Sequence, residues 1–400
     1  MKKKSLILLL VLILVFSLAS CGNSSENPGE GSSSDSDTIK IGVIGPLTGE
    51  SAIFGDMLTQ TVTLLAEQKN AEGGLLGKQI EVKIYDNRDD TVETTNAARK
   101  AIQNDGVCAF IGTDSSSTTI ALVDVASENE IPVITSIASN TKVTMTDDGQ
   151  VRPWAFRACL CDPQSGQILG QYAVNECGYK KIAIIYDIGS DFSIGVTQQF
   201  TENVEKSGGE IICTEAYNTG DVDYRAVLTK IKNSGDFDAI YIAAGYYKQI
   251  GLIANQAREL GIDQPILTTE GAMSQDIFNI AGKSLKGAIF NCTIDLNTDE
   301  VDGIRADFKE RWGYDPAENL GPDCYLAYDA FTLLTSAIEK AGSSDPSAIR
   351  DALESTTSIQ GLTCEITFDP ETHMVYREVP IIQIGDSEFI QLGLFESRKQ

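Results

Sequence analysis

Three short runs of hydroxyl, acidic and small residues carry the chemistry legible in this chain. They are Thr113-Asp114-Ser115-Ser116-Ser117-Thr118, Thr135-Ser136-Ile137-Ala138-Ser139-Asn140 and Thr268-Thr269-Glu270-Gly271. Each follows an apolar, β-branched run that reads as a buried strand, and the first opens a helical pattern. A helix start exposes backbone N–H groups, and serine hydroxyls beside them suit an anion such as a carboxylate. The plainer reading of one such run is an N-cap. Glu270 offers a partner for an ammonium group; taken alone it reads as a solvated loop residue. Open α/β sheets bind ligands at the carboxyl ends of their strands. Together the runs put an anion site on one half of the chain and a cation partner on the other. A free amino-acid zwitterion needs both.

The rest of the composition removes other chemistries. The 400 residues include 57 acidic, 31 basic and one histidine, for a formal charge of −26. Hydrophobic content of 42% with 22% charged residues describes a globular chain. The acidic surplus argues against nucleic acid, which needs a basic face, and against a polybasic membrane patch. Ser-His-Asp or Cys-His catalysis would rest wholly on His373, which reads as a surface or hinge residue. The glycines of Gly42-Val-Ile-Gly45-Pro-Leu-Thr-Gly49 have the wrong spacing for a dinucleotide fingerprint, and neither a P-loop nor a nucleophile elbow occurs. No catalytic residue, metal or cofactor is expected.

The elements that must position the three runs alternate between strand and helix. Patterning predicts strands over 38–45, 80–85, 109–112 and 131–135, with helices over 54–70, 91–103 and 117–129. The rhythm restarts with strands over 181–186, 210–216, 239–243 and 266–269 and helices over 192–206, 224–232 and 249–260. Helices over 301–312, 322–341 and 345–355 follow, then strands near 363–368 and 378–384. Such an order implies parallel, doubly wound sheets. The expected fold class is α/β, with two doubly wound parallel-sheet lobes around a ligand cleft.

Lys2, Lys3 and Lys4 precede an apolar run from Leu6 to Phe16, then Leu18-Ala19-Ser20-Cys21. A basic start, a short apolar stretch and small residues mark an export signal, too short to span a bilayer. The Leu-Ala-Ser-Cys box resembles that of a bacterial lipoprotein, which implies cleavage before Cys21 and a lipid anchor there. Residues 22–37 hold nothing apolar and read as a flexible tether reaching about 20–25 Å. The eight remaining cysteines form no CxxC pair; most read as buried small hydrophobes, with disulfide pairing left open.

Longer motifs add to this reading. They are IGVIGPLTG (41–49) with Phe54-Gly55, NAEGGLLG (70–77), FIGTDSSST (110–118), IPVITSIAS (131–139) and FRACLCDPQSG (156–166). The second half contributes KIAIIYD (181–187), Ala244-Gly245-Tyr246 and Thr269-Glu270-Gly271. Over roughly residues 38–395 the chain resembles the leucine/isoleucine/valine-binding family, the type I periplasmic binding proteins of ABC importers.

The resemblance implies a site. The backbone and hydroxyl around Ser116, with Ser139, hold an α-carboxylate. The Ile137 carbonyl, the Ser139 hydroxyl and Glu270 hold the α-ammonium. Asp162 and Tyr246 line the polar end, and Phe54, Ser115, Phe192 and Tyr328 wall the side-chain pocket. Branched-chain binders often carry tyrosine where Phe54 and Phe192 stand, threonine at Ser139 and cysteine at Ser115. Asp89 and Ser115 occupy the places of a disulfide seen in some relatives. Two phenylalanines favour an apolar ligand over a charged one.

The expected organisation is a signal peptide over 1–20, a lipidated Cys21 and tether over 21–37, one lobe over 38–160 plus 294–370, and another over 161–293 plus 371–400. Three hinge crossings near 158–163, 288–295 and 368–377 would let the lobes close on ligand. The expected protein is an extracytoplasmic, membrane-anchored monomer serving ABC permease subunits. An amide- or urea-type ligand on the same fold is the nearer alternative. A sensor would need a transmembrane or signalling segment after the fold, and the chain stops at Gln400.

Overall fold

A computed structural model describes residues 38–49, 51–316 and 323–397. The expected signal peptide, Cys21 and the tether lie outside the described residues.

The first sheet has five strands in the order β2-β1-β3-β4-β5. These are β1 (Thr38–Gly45), β2 (Gln79–Asp86), β3 (Ala109–Gly112), β4 (Val133–Thr135) and β5 (Ala155–Arg157), and all pair in parallel. β1 is a near-continuous apolar run because helices cover both faces of the sheet. On one face pack α1 (Ala52–Ala71), α10 (Asp323–Ala341) and α11 (Pro346–Glu354); on the other, α2 (Thr91–Lys100) and α3 (Ser116–Glu128).

The second sheet has seven strands, which include β6 (Lys181–Asp187), β7 (Glu210–Tyr217), β8 (Ala239–Ala243), β9 (Ile266–Thr268) and β10 (Ile289–Asn291). β6 to β10 are parallel. Helices α4 (Asp162–Asn175), α5 (Asp191–Lys206), α6 (Arg225–Lys232), α7 (Tyr247–Glu259) and α8 (Asp276–Ala281) belong to this half. α9 (Asp299–Trp312) follows the return from β10. A hairpin of β14 (Glu378–Ile384) and β15 (Phe389–Glu396) adds an antiparallel edge beside β10. A small antiparallel sheet of β11 (Ser358–Gln360), β12 (Glu365–Phe368) and β13 (Val375–Tyr376) completes the fold.

The chain passes between the two large sheets after β5, after β10 and between β13 and β14. Arg377 stands at the third passage, fully buried, with Nη1 2.7 Å from Asp329 Oδ2 on α10. Of the two readings for His373, surface or hinge, burial removes the first. The His373 ring is stacked 4.4 Å from that of Phe156. Nδ1 lies 2.7 Å from the Ala155 carbonyl oxygen and Nε2 2.9 Å from Glu354 Oε2. The stacking surface and two polar partners explain why an imidazole is held there.

All eight described cysteines are free thiols, and Cys108, Cys159, Cys161, Cys292 and Cys324 are buried. No helix among the described residues is long and apolar enough to cross a membrane.

Candidate ligand cleft

A cavity of about 210 Å³ lies between the carboxyl ends of the two large sheets. β3 delivers the first hydroxyl corner to it. Gly112 closes that strand at φ +131°, and a Cβ there would sit 2.4 Å from the Ile44 carbonyl oxygen, so only glycine lets β3 approach β1 this closely. Ser115 occupies the N-cap position of α3, yet its side chain makes no capping bond. Its hydroxyl instead donates to Asp89 Oδ1 at 2.7 Å and meets Thr118 Oγ1 at 2.7 Å. The plain capping role therefore does not account for this serine. The first turn of α3 opens onto the cavity through Ser115, Ser116 and Ser117, and its N–H groups and dipole suit a carboxylate.

The second corner brings Ile137, Ala138 and Ser139 to the same wall. Arg157 fixes its shape. Buried completely, its guanidinium donates to the carbonyls of Ser139 at 3.0 Å and Asn140 at 2.8 Å. The sequence reading assigned Arg157 no role, although it stands inside the FRACLCDPQSG motif.

Glu270 reaches the cavity from the end of β9. Thr293 donates to its carboxylate through backbone N–H at 2.5 Å and hydroxyl at 2.9 Å. Burial pushes the Glu270 pKa up, while the Thr293 bonds and Arg377 pull it back. A Cβ on Gly271 would fall 2.2 Å from the Gly245 carbonyl oxygen, so the two loops that carry Glu270 and Tyr246 meet only because residue 271 is glycine.

Several groups join the lobes across the cleft. The Tyr246 hydroxyl donates to Asp114 Oδ2 at 2.7 Å and Asp89 Oδ2 at 3.1 Å. The Tyr246 ring lies 4.8 Å from that of Phe54. The Ser117 hydroxyl donates to Asp191 Oδ2 at 2.9 Å, and Asn140 Nδ2 donates to the Asp191 carbonyl at 2.6 Å. These contacts hold the two halves together over the cavity.

Of the residues singled out from sequence, Phe54, Ser115, Ser116, Ile137, Ser139, Phe192, Tyr246 and Glu270 line this cavity. Asp162 and Tyr328 do not. Asp162 begins α4 behind the second corner, where its N–H donates to the Ser139 carbonyl at 2.9 Å. Its carboxyl turns toward α5, where a Cβ on Gly195 would lie 2.1 Å from Oδ2. Tyr328 is half-buried on α10 and packs into apolar clusters beside the cleft.

Four further carboxyls among the described residues line the cavity: Asp89, Asp114, Asp187 and Asp323. Burial, with Asp323 and Asp89 nearby, pushes the Asp114 pKa well up against the Tyr246 bond. Burial pushes Asp323 up to about 7. Asp114 was visible in the first corner and Asp89 as a departure from relatives, but Asp323 lies on a distant helix and carries no local signal. No group of His, Cys, Asp and Glu among the described residues is arranged to hold a metal ion.

The profile of the periplasmic binding protein family matches residues 38–388. The leucine-, isoleucine-, valine-, threonine- and alanine-binding protein of Pseudomonas aeruginosa is 30% identical over 321 residues, covering 80% of this chain and 83% of that protein. The Leu/Ile/Val-binding protein homolog 3 of Brucella melitensis is 29% identical, covering 88% and 93%. Among solved structures, a leucine-binding protein from Thermotoga maritima superposes with a TM-score of 0.80 at 29% identity, covering 89% of this chain and 98% of that one. The branched-chain amino acid transporter substrate-binding protein of Streptococcus pneumoniae, in complex with isoleucine, gives 0.79 at 27% identity, covering 90% and 99%.

Proposed function

The chain belongs to the periplasmic binding protein family, and on that premise we propose that it captures a free α-amino acid and delivers it to an ABC importer. The observation that carries this reading is the opposition of Glu270 and the uncapped first turn of α3 across one cavity. The α-carboxylate takes the N–H groups and hydroxyls at Ser116 and Ser139. The α-ammonium takes Glu270, the Ser139 hydroxyl and the Ile137 carbonyl. Phe54 and Phe192 flank the ligand's carbon chain.

Ligand bridges the lobes and favours their closed arrangement by its extra contacts there. Glu270→Ala should weaken amino-acid binding by about 2–5 kcal/mol, because the ammonium then lies buried and unpaired. Isothermal calorimetry checks this, and an unchanged affinity rules out the clamp. A thermal-shift screen of the twenty amino acids finds the cognate ligand, since stabilisation grows with [L]/Kd.

The export signal and Cys21 extend the proposal to a lipid-anchored monomer on the outer face of the cell membrane, working with permease subunits. Cys21→Ser should release the processed protein from membranes. If the variant still pelleted with them, the lipid would not be the anchor.

A further inference from the structure

Behind the second corner lies a buried acid that the reading above leaves without a role. Asp162 is 1% exposed and does not line the cavity, yet it is tied to a residue that does. Its backbone N–H donates to the Ser139 carbonyl at 2.9 Å, and the same carbonyl accepts from Arg157 at 3.0 Å. Its carboxyl has one donor within reach among the described residues, the Ser139 hydroxyl, which favours the ionised form. That hydroxyl is buried and has no other partner among them. Ser139 thus faces the cavity on one side and a buried carboxyl on the other.

A serine hydroxyl carries one proton and two lone pairs. Beside an ionised Asp162 the proton points back to the carboxylate, and the lone pairs face the cavity, where they suit an ammonium. Beside a protonated Asp162 the acid's own O–H donates to Ser139 Oγ. The serine proton is then free to enter the cavity, where it suits a carboxylate. Burial pushes Asp162 up to about 7. The other groups that face its carboxyl keep one charge state near neutrality. Arg157 approaches from β5 as a permanent cation. Burial pushes the neighbouring Cys161 thiol up to about 11, and it pushes the Tyr241 phenol on β8 up as well. α5 offers the backbone of Gly195, and the Asp191 carboxyl one turn before it is taken by the Ser117 hydroxyl.

We propose that Asp162 is a positioning residue for the ligand, turning the Ser139 hydroxyl so that its oxygen accepts from the α-ammonium. The proposal rests on the amino-acid reading of the cleft. The α-carboxylate then takes the Ser139 backbone N–H and the first turn of α3, while the hydroxyl serves the other end. An ammonium arriving at Ser139 Oγ favours an ionised Asp162 behind it. A proton held by Asp162 before binding therefore passes to the buffer as the ligand enters. Affinity rises with pH until that proton is already gone.

The test is calorimetry on the full-length protein in detergent, stripped of ligand by unfolding and refolding, from pH 5.5 to pH 8.5. The probe is whichever of the twenty L-amino acids raises the melting temperature most. Its affinity should rise about tenfold across that range, as one unit of pKa shift requires. Titrations in phosphate and in Tris at pH 6.5 should show net proton release. Glu270, Asp114 and Asp323 also have raised pKa values, but none of them bonds to the Ser139 hydroxyl. The share that belongs to Asp162 is therefore the share lost in both S139A and D162N. Each variant should flatten the rise by about threefold or more and reduce the proton release. An affinity that is constant or falls with pH in the unmodified protein overturns the proposal, as does binding without proton release. A rise equally steep in folded S139A or folded D162N overturns it as well. In all of these the amino-acid reading stands. A protein that none of the twenty amino acids stabilises or binds at any pH overturns that reading itself.

Discussion

Asp162 shows how burial alone sets the behaviour of one residue. Its carboxyl is shut away behind the Ser139 corner, and burial pushes its pKa up to about 7, against the pull of the Ser139 hydroxyl and Arg157. Unfolded, the group titrates near about 3.9. Between those values the folded chain holds a proton that the unfolded chain has lost, so stability falls as pH rises through that window. Asp323, also raised to about 7, adds to the same fall. Carboxyls held low by partners, such as Glu67 beside Arg311, act at the acid end, where stability falls as pH drops. Asp162→Asn should therefore flatten the decline in melting temperature between pH 5 and pH 8. An equally steep decline in the variant would remove Asp162 from the account. The serines and Glu270 were legible in sequence because a strand-end corner has few other places to put its side chains. Asp162 and Tyr328 were not correctly placed, because the direction of a helical side chain depends on what packs against the helix.

At the scale of elements, the parallel strands could be read directly. β1, β6 and β8 are buried on both faces and so appear as unbroken apolar runs. β5 and β10, three residues each, were not read, whereas the equally short β4 and β9 were found because each leads into a hydroxyl-rich corner. β15 escaped for another reason. Ile390, Leu392 and Leu394 alternate with Gln391 and Gly393 yet stand exposed, so its apolar face points outward. The loops that carry the site depend on close approach, and Gly271 is the tightest point among them. Gly271→Ala drives a methyl into the Gly245 carbonyl. It should cost about 1–3 kcal/mol of stability, and ligand affinity should fall as Glu270 and Tyr246 are pushed apart. A melting temperature and affinity equal to those of the unmodified protein would show that the loops yield freely.

The whole molecule is two sheet-based halves held shut by groups of the protein itself. Asp191 is central to this, accepting from Ser117 and from Asn140 across the cleft. Asp191→Ala removes the Ser117 bond and disturbs its neighbour. With each such bond worth about 0.5–1.5 kcal/mol, the ligand-free variant should shift toward a more open form. Small-angle X-ray scattering should show a larger radius of gyration without ligand and a return to the compact value when saturated. An unchanged ligand-free radius would mean that the latch does not govern the opening. Which halves meet was readable from the restart of the strand–helix rhythm, but the latch was not, since Ser117 and Asp191 lie 74 positions apart. A latch built from the chain's own side chains also bears on timing: each bond that must part before the halves separate slows the exit of whatever lies between them.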